Sequence, residues 1–337
     1  MTKRKFVVFS AFRAPDGPHF WHHGGLAAGH GALLLDLTTG FWEYGSMTDC
    51  ALFDVVISGV ASEEELARVC SYTQGARVVR DKERVRICGV PQEALTADLR
   101  RILDEMKTAD YAVVRADLSL ADFSCAFFDM DSTLIQEECI DELAALAGVG
   151  EKVAAVTERS MRGELDFEQS LRERVALLAG APAEIIEKAA ALLTPTPNAQ
   201  RVIAFLEKHG VRTYILSGGF TQFASKTAAL YGMSGYVCNR LVVKDGKLTG
   251  EVTGPAGGKI LDRSGKRAAM EVIAQLAESD LTRCIAGGDG ANDIEMILDA
   301  GLGLAYRAKP RVAAMAPHKI VHGDFSVLAD WFVESWN

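Results

Sequence analysis

The most constraining feature of this sequence is a strongly apolar segment that stops at two aspartates. Cys125–Asp129 has the composition of a buried strand, and Asp129 opens an Asp-x-Asp-x-Thr pattern. In open parallel sheets, chemistry collects beyond the carboxyl ends of the strands. Asp129 and Asp131 can point in a common direction only if the chain leaves strand geometry at once. Taken alone, the motif is equally compatible with an ordinary acidic turn after a strand.

The chain beyond this motif alternates predicted strands with predicted helices. Strands are predicted at Arg212–Leu216, Leu241–Lys244, Lys247–Val252, Cys284–Gly288 and, as the last one, Leu302–Ala305. Asp245-Gly246 is a strong hairpin signal between two of them. Residues 138–193 instead show about four helical stretches and no strand, which predicts an inserted cap. The fold class is therefore α/β, a Rossmann-like parallel sheet with a helical cap.

The second motif is Ser217-Gly218-Gly219, at the end of the strand predicted over Arg212–Leu216. Glycines let backbone N–H groups approach a phosphate closely, and the N-terminus of the helix predicted next favours negative charge. A capped turn without function is the alternative for this motif alone.

A third motif and a lysine complete the set. Asp289 and Asp293 lie four residues apart in a glycine-containing turn after Cys284–Gly288, and such carboxylates suit a hard cation that prefers oxygen ligands. An aspartate-capped helix start is the alternative. Lys266 stands at the head of a helix predicted to run to Ala277, where a lone lysine is usually solvated.

Together, these four motifs in this order resemble the haloacid dehalogenase superfamily of phosphatases over about residues 123–325. The segments 131–143, 161–167 and 170–175 resemble the phosphoserine phosphatases closely. One departure is Pro195-Thr196-Pro197, where that family usually has a Pro-Gly turn. It precedes the helix that leads to Ser217, so we expect no effect on the chemistry.

The resemblance implies a covalent mechanism that depends on Mg²⁺. Asp129 would attack phosphorus to give an aspartyl-phosphate, and Asp131 would protonate the leaving oxygen and later activate water. Asp129, Asp289 and the backbone carbonyl of Asp131 would bind Mg²⁺, with Asp293 holding its waters. Whether Mg²⁺ or Mn²⁺ serves in the cell stays open.

The resemblance also implies a binding site for substrate. Ser217, the Gly218 amide and Lys266 would bind the phosphoryl oxygens, and Asn292 would help orient the phosphate. In the cap, the residues that match the family would be Glu138 for the substrate ammonium, Arg174 for its carboxylate, and Met161 and Phe167 for an apolar lid. Solvated helix charges are the alternative for Glu138 and Arg174.

The N-terminal part has a different pattern. Ala32–Leu37 and Phe41–Tyr44 predict a hairpin around Thr39-Gly40, and residues 52–115 then follow the order β-α-β-β-α-β of a ferredoxin-like module. In that module a helix is predicted to start at Ser62, with Glu65 completing a capping box, and a second helix is predicted over Gln92–Met106.

This module resembles an ACT domain, which implies either an amino-acid ligand near Gly59 or a spacer or homodimer surface. A linker is predicted at Asp117–Asp122. The predicted domains are residues 1–120 and a phosphatase domain over 121–337, with its core at 121–137 and 194–337 and its cap at 138–193.

Charge and cysteine content exclude several functions. A net charge of −9 offers no basic face for nucleic acid or anionic membranes, and no apolar run is long enough to span a bilayer. No signal peptide is predicted. Seven scattered cysteines without a C-x-x-C pair favour a reduced, cytoplasmic protein. His19, His22, His23 and His30 are interpreted as loop or surface residues.

The leading hypothesis is hydrolysis of O-phosphoserine to serine and phosphate, as the last step of serine synthesis. The alternative in the same class is hydrolysis of, or phosphoryl transfer from, another small amino-acid phosphate such as phosphothreonine. A third hypothesis, a catalytically inactive scaffold, is disfavoured because all four motifs are intact.

Overall fold

The computed structural model describes residues 6–7, 33–36, 41–44, 52–73 and 76–336 of the 337. Within these residues, no helix combines the length and the apolar character that crossing a bilayer would need. The four histidines considered above lie outside the described residues.

Three short N-terminal strands pair antiparallel in the order of the chain. They are β1 (Phe6–Val7), β2 (Leu33–Asp36) and β3 (Phe41–Tyr44). In the pairing of β2 with β3, Asp36 lies opposite Phe41, which confirms the predicted hairpin. Its turn residues, Thr39 and Gly40, lie outside the described residues.

Residues 52–115, here called the N-terminal module, form an antiparallel sheet with two helices. Its elements are β4 (Leu52–Gly59), α1 (Glu63–Tyr72), β5 (Arg77–Asp81), β6 (Arg84–Pro91), α2 (Ala97–Asp104) and β7 (Ala109–Arg115). The strand order is β5-β6-β4-β7. Both halves of the predicted capping box between Ser62 and Glu65 are present.

The prediction of a helix over Gln92–Met106 is wrong at its N-terminal end. Gln92–Ala94 is a single 3₁₀ turn, and α2 begins only at Ala97. The physical reason is Thr96, whose hydroxyl accepts a hydrogen bond from the Leu99 amide at 3.2 Å and so caps a new helix.

The remaining chain begins with a short strand and the helical cap. These elements are β8 (Cys125–Phe128), α3 (Cys139–Leu146), α4 (Gly150–Met161), α5 (Phe167–Ala176) and α6 (Glu184–Leu192). The four helices confirm the predicted helical block. Gly148, Gly163 and Gly180 have positive φ where helices α3, α4 and α5 have ended, which explains the predicted interruptions.

Alternating helices and strands complete the fold. They are α7 (Ala199–Lys208), β9 (Arg212–Phe220), α8 (Thr221–Tyr231), β10 (Gly235–Lys244), β11 (Lys247–Thr253), α9 (Arg263–Leu276), β12 (Cys284–Gly288), α10 (Ile294–Asp299), β13 (Leu302–Tyr306), α11 (Pro310–Met315), β14 (His318–Ile320) and α12 (Val327–Asp330).

Seven of the described strands form one sheet in the order β11-β10-β9-β8-β12-β13-β14. All neighbours are parallel except β10 and β11, which form the hairpin predicted at Asp245-Gly246. The chain leaves β8 first toward β9 and later returns to β12 on the other side. The carboxyl end of β8 is thus a topological switch point, where ligands bind in sheets of this kind.

Two strand predictions need correction. The strand predicted over Leu302–Ala305 is present as β13, but it is not the last strand, because β14 follows it at the edge of the sheet. β14 has only three residues, which are too few to give a periodic signal in the sequence. β9 runs to Phe220, so α8 begins at Thr221 and not directly at the Ser217-Gly218-Gly219 motif.

The predicted linker is held in place by the C-terminal segment. The Glu334 carboxylate accepts hydrogen bonds from the Ser119 hydroxyl and the Leu120 amide, at 2.5 and 2.9 Å, and Leu118 and Leu120 are buried. The N-terminal module contacts the same end of the chain through Arg84, whose guanidinium pairs with Asp330 at 2.9 Å.

Candidate active site

Strand register brings the predicted motifs together. Phe128 at the end of β8 lies opposite Ile215 of β9 and Gly287 of β12. The Asp129 amide continues this pairing by donating to the Gly287 carbonyl at 3.0 Å. Because the strands are parallel, the residues that follow each of them emerge at one edge of the sheet.

Three carboxylates meet at that edge. Asp129, Asp289 and Asp293 are buried, and each offers an oxygen within 4.8 Å of the others. Lys266 is fully buried among them, with its Nζ 2.8 Å from Asp129 Oδ2 and 2.6 Å from Asp293 Oδ1. Lys266 is therefore not the solvated lysine that its sequence position alone would favour.

Burial raises the free-energy cost of ionising the carboxyl groups of this cluster. Desolvation and repulsion from Asp129 raise the pKa of Asp289 to about 7 and that of Asp293 to about 8, although nearby lysines oppose both shifts. Burial would lower the pKa of Lys266, but attraction to Asp129 and Asp293 raises it overall. Three acidic groups sharing this lysine leave negative charge in excess, and oxygen donors so placed fit a hard divalent cation.

Asp293 differs from the other two carboxylates in its own partners. Its Oδ1 accepts from Lys266, and its Oδ2 accepts from the Gly290 amide at 2.9 Å. These bonds hold Asp293 in place from two sides, and its side chain does not cap α10.

Asp131 lies beside the first strand end and next to the cap. Its Oδ1 accepts from the Cys139 amide, at the start of α3, at 3.3 Å. Desolvation, followed by repulsion from Glu138, raises the pKa of Asp131 well above its ordinary value. Burial therefore favours the protonated form of the Asp131 carboxyl over the ionised form.

The Ser217-Gly218-Gly219 segment packs against Asp131 on one side and against Phe167 of the cap on the other. The Ser217 hydroxyl accepts from the Gly219 amide at 2.9 Å. A Cβ on Gly219 would lie 2.6 Å from Asp131 Oδ2, and a Cβ on Gly218 would lie 2.6 Å from Phe167 Cζ. A larger residue at either position would therefore have to displace the Asp131 or the Phe167 side chain.

The cap contributes charge to the site. The Ser132 hydroxyl donates to Glu138 at 2.9 Å, and desolvation raises the pKa of Glu138. Desolvation lowers the pKa of the half-buried Arg174, while the attraction of Glu138, Asp141 and Asp131 opposes that shift. Arg174 and Glu138 thus lie within electrostatic reach of each other at the face of the cap that meets the sheet.

The two predicted lid residues differ. Phe167 is partly buried and rests on Gly218, whereas the Met161 residue at the end of α4 is 76% exposed. Phe167 therefore packs against the Ser217-Gly218-Gly219 segment, while most of the Met161 side chain is exposed to solvent. Asn292 lies over the turn after β12, because its Oδ1 would be 2.3 Å from a Cβ on Gly290.

Sequence reasoning gave no role to two residues of the site. The buried Thr133 donates from Oγ1 to Asp289 Oδ1 at 3.4 Å and so links two strand ends; its place in the Asp-x-Asp-x-Thr pattern was a usable signal. Lys309 opposes the pKa shifts of Asp289 and Glu138. It follows the end of β13, where the rule about strand ends also applies.

Comparison with known proteins adds independent information. Residues 123–301 match the family model of the haloacid dehalogenase-like hydrolases. The chain is 44% identical over 216 residues to a phosphoserine phosphatase of Streptomyces coelicolor and 43% identical over 222 residues to that of Haemophilus influenzae. Each alignment covers 64% of this chain, and they cover 52% and 69% of those relatives, respectively. The chain thus spans about half the length of the first relative.

A solved structure extends the similarity toward the N-terminus. The unliganded probable phosphoserine phosphatase of Vibrio cholerae superposes with a TM-score of 0.71 at 33% identity. The match covers 85% of this chain and 88% of that one.

Proposed function

Since the chain belongs to the haloacid dehalogenase-like hydrolases, we propose that it is a Mg²⁺-dependent phosphatase that hydrolyses O-phosphoserine to serine and inorganic phosphate. The observation that carries the proposal is the meeting of Asp129, Asp289 and Asp293 around Lys266 at the switch point of the sheet. The similarity to phosphoserine phosphatases supports the choice of substrate.

The ion would be held by the carboxylates of Asp129 and Asp289 and by the backbone carbonyl of Asp131. Asp293 would act through bound water, which agrees with its own oxygens being engaged by Lys266 and the Gly290 amide. When bound, the ion neutralises charge on the phosphate that would otherwise repel an anionic nucleophile.

Asp129 is proposed as the nucleophile. A carboxylate oxygen attacks phosphorus, the bond between phosphorus and the serine oxygen breaks, and an aspartyl-phosphate forms. Lys266, whose Nζ lies 2.8 Å from Asp129 Oδ2, would orient that carboxylate and stabilise the charge that develops on the phosphoryl group.

Asp131 is proposed as the general acid and base. In its protonated form it gives its proton to the leaving serine oxygen. It then takes a proton from the water that attacks the aspartyl-phosphate, releasing phosphate and restoring Asp129. The raised pKa of Asp131 supports the first of these roles.

The remaining site residues would bind the substrate. Ser217, the Gly218 amide and Asn292 would bind the phosphoryl oxygens, and Glu138 and Arg174 would reach the rest of the substrate from the cap. Glu138 would bind the ammonium of phosphoserine and Arg174 its carboxylate.

The proposed lid is made by Phe167 and Met161, which together would exclude water during the reaction. Phe167 already contacts Gly218, so closure requires mainly that the exposed Met161 side chain turn inward over the bound substrate.

We retain the proposed domain division at residue 120 and the proposal that the N-terminal module is ACT-like. Its element order and strand order support this assignment. Gly59, with φ at 116°, lines a cleft of about 650 Å³ between the module and the C-terminal segment. An amino-acid ligand there, or a homodimer formed through the module, would be tested by serine titration of the full chain and by its mass in solution.

The proposed function is tested by phosphate release from a panel of small phosphomonoesters in the presence of Mg²⁺. We expect phosphoserine to be preferred over phosphothreonine, phosphoethanolamine and phosphoglycolate, which lack its combination of charges or its size. A flat profile, or preference for phosphothreonine, would contradict phosphoserine as the substrate. Transfer to an added alcohol would reveal the phosphotransferase alternative.

A further inference from the structure

Asn239 is a fully buried amide side chain behind the phosphate-binding segment. It lies in β10 where the parallel pairing with β9 is interrupted. Cys238 pairs with Ser217, but Asn239 pairs with Phe220, so Gly218 and Gly219 form a bulge opposite this point. The bulge moves the backbone of Gly218 and Gly219 out of regular strand geometry, so the orientation of these two peptides must be fixed by other contacts.

The Asn239 amide supplies that contact. Its Nδ2 donates to the Gly218 carbonyl at 2.8 Å and to the Leu261 carbonyl at 3.5 Å, and its Oδ1 accepts from the Leu261 amide at 2.7 Å. Leu261 directly precedes Asp262, the residue that caps α9 and so orients the helix turn carrying Lys266.

The bond from Asn239 to the Gly218 carbonyl fixes the direction of the Gly219 N–H. In a trans peptide the carbonyl and the next N–H lie in one plane and point in opposite directions. Because Asn239 holds the Gly218 carbonyl, the Gly219 N–H is turned toward Ser217, whose Oγ accepts it at 2.9 Å. With that oxygen lone pair engaged, the Ser217 hydroxyl proton remains available for a phosphoryl oxygen.

We propose that Asn239 is a positioning residue that aligns the Ser217–Gly219 segment and the start of α9 as one phosphate-binding unit. The proposal rests on the proposed function, since it concerns the same site. Asn239 does not touch the reacting atoms; it acts through Ser217, Gly218 and Lys266. Simple satisfaction of buried backbone groups is the competing account, and it predicts a loss of stability without a change in phosphate binding.

Gln222, in helix α8, offers a matched control that bonds to the backbone of β10. Its Nε2 donates to the Leu241 carbonyl at 2.9 Å and its Oε1 accepts from the Leu241 amide at 3.4 Å. Gln222 thus makes the same pair of amide hydrogen bonds as Asn239, but its partner is the backbone of Leu241 and not that of Gly218 or Leu261.

The test compares Asn239→Leu, Asn239→Asp and Gln222→Leu in the Mg²⁺-loaded full chain. Inorganic phosphate binding is measured by calorimetry, kcat/KM by phosphate release from phosphoserine, and stability by thermal melting. Asn239→Asp keeps the acceptor for the Leu261 amide and loses the donor to Gly218, so it remains informative if Asn239→Leu fails to fold.

We expect both Asn239 variants to bind phosphate at least about tenfold more weakly and to lose roughly 10²-fold in kcat/KM, the cost typical of misplacing a catalytic group. Gln222→Leu should melt earlier with unchanged phosphate binding. Phosphate affinity equal to that of the wild type in Asn239→Asp would overturn the positioning role. A wild-type chain that binds phosphate but does not hydrolyse phosphoserine would refute the proposed function alone.

Discussion

Two buried charge clusters in this molecule are built differently. In the N-terminal module, Asp54 and Arg86 pair at 2.6 Å with side chains that are 4% exposed, and the Gly89 amide also donates to Asp54. At the edge of the large sheet, three buried carboxylates cluster, and Lys266 pairs with two of them, Asp129 and Asp293. The first cluster is neutral by itself, whereas the second has more carboxylates than cationic groups, and we propose that a divalent cation completes it.

This difference distinguishes an ion pair that only stabilises the fold, in the N-terminal module, from a charge cluster suited to binding a ligand, at the sheet edge. A buried ion pair that is matched one to one needs nothing from solution. A buried cluster with excess negative charge raises the pKa values of its own members, as it does for Asp289 and Asp293, and is completed by a ligand. The predictions below test whether the two clusters behave in these two ways.

The largest effect is expected from Asp129→Asn. The variant should lose turnover by a factor on the order of 10⁴ or more, as when a nucleophile is removed, and keep its fold. Acid quenching followed by mass spectrometry should find a phosphoryl group on the wild-type peptide that contains Asp129 and none on the variant. Asp117→Asn, at a side chain that is 81% exposed, is the control. Turnover within tenfold of normal would refute the nucleophilic role.

Breaking the ion pair of Asp54 and Arg86 in the N-terminal module should lower the stability of the protein and leave its catalytic rate unchanged. Asp54→Asn leaves Arg86 buried without its counter-charge, which costs roughly 3–5 kcal/mol of unfolding free energy. Denaturant unfolding measures this, and kcat per folded molecule should stay near the wild-type value. Glu63→Gln, in an exposed pair with Arg80, is the control and should cost far less, because solvent screens an exposed ion pair. An equal cost for the two variants would contradict the account.

A smaller effect is expected from the cap. Arg174→Ala should reduce kcat/KM for phosphoserine by about 30-fold to 150-fold, the value of a charge-assisted hydrogen bond of roughly 2–3 kcal/mol. Phosphoethanolamine, which lacks the carboxylate, should lose far less. Arg162→Ala, at an exposed cap residue paired with Glu164, serves as the control. Equal losses for the two substrates would show that Arg174 does not bind the carboxylate.

The smallest effect concerns pH and the metal-free protein. Asp289 and Asp293 titrate near 7 and 8 when folded and near 4 when unfolded, so the folded state binds more protons between these values. The stability that these two carboxyl groups contribute to the metal-free protein should therefore fall as pH rises from about 4 to about 8, and it is best measured from about pH 6 to about pH 8, where most other carboxylates are already ionised. Thermal melting should show a decrease of a few degrees that Mg²⁺ or Asp289→Asn reduces. A stability that rises with pH in this window would contradict these shifts.

Much of the site could be predicted because its residues follow strand ends. Asp129, Ser217 and Asp289 each come directly after an apolar segment, and parallel strands place such residues at one edge. Lys266 required the family resemblance, since its local sequence resembles that of a solvated helix residue. The cap roles of Glu138, Arg174, Met161 and Phe167 depend on the same resemblance and remain proposals.

Other features could not be predicted because they depend on contacts distant in sequence. Asn239 is an isolated polar residue in a strand until the bulge at Gly218 and the loop at Leu261 are seen beside it. Likewise, β14 is recognised as a strand only because it pairs with β13. The break before α2 arises because the Thr96 side chain caps a new helix, which hydrophobic periodicity does not predict.

The central claim is that the carboxylate cluster at the sheet edge binds a divalent ion and that the protein hydrolyses phosphoserine only when this ion is bound. The most direct measurement is phosphate release from O-phosphoserine by protein treated with EDTA, before and after Mg²⁺ is restored. The account predicts no turnover without the ion and full recovery with it. Equal rates in the two conditions would contradict it.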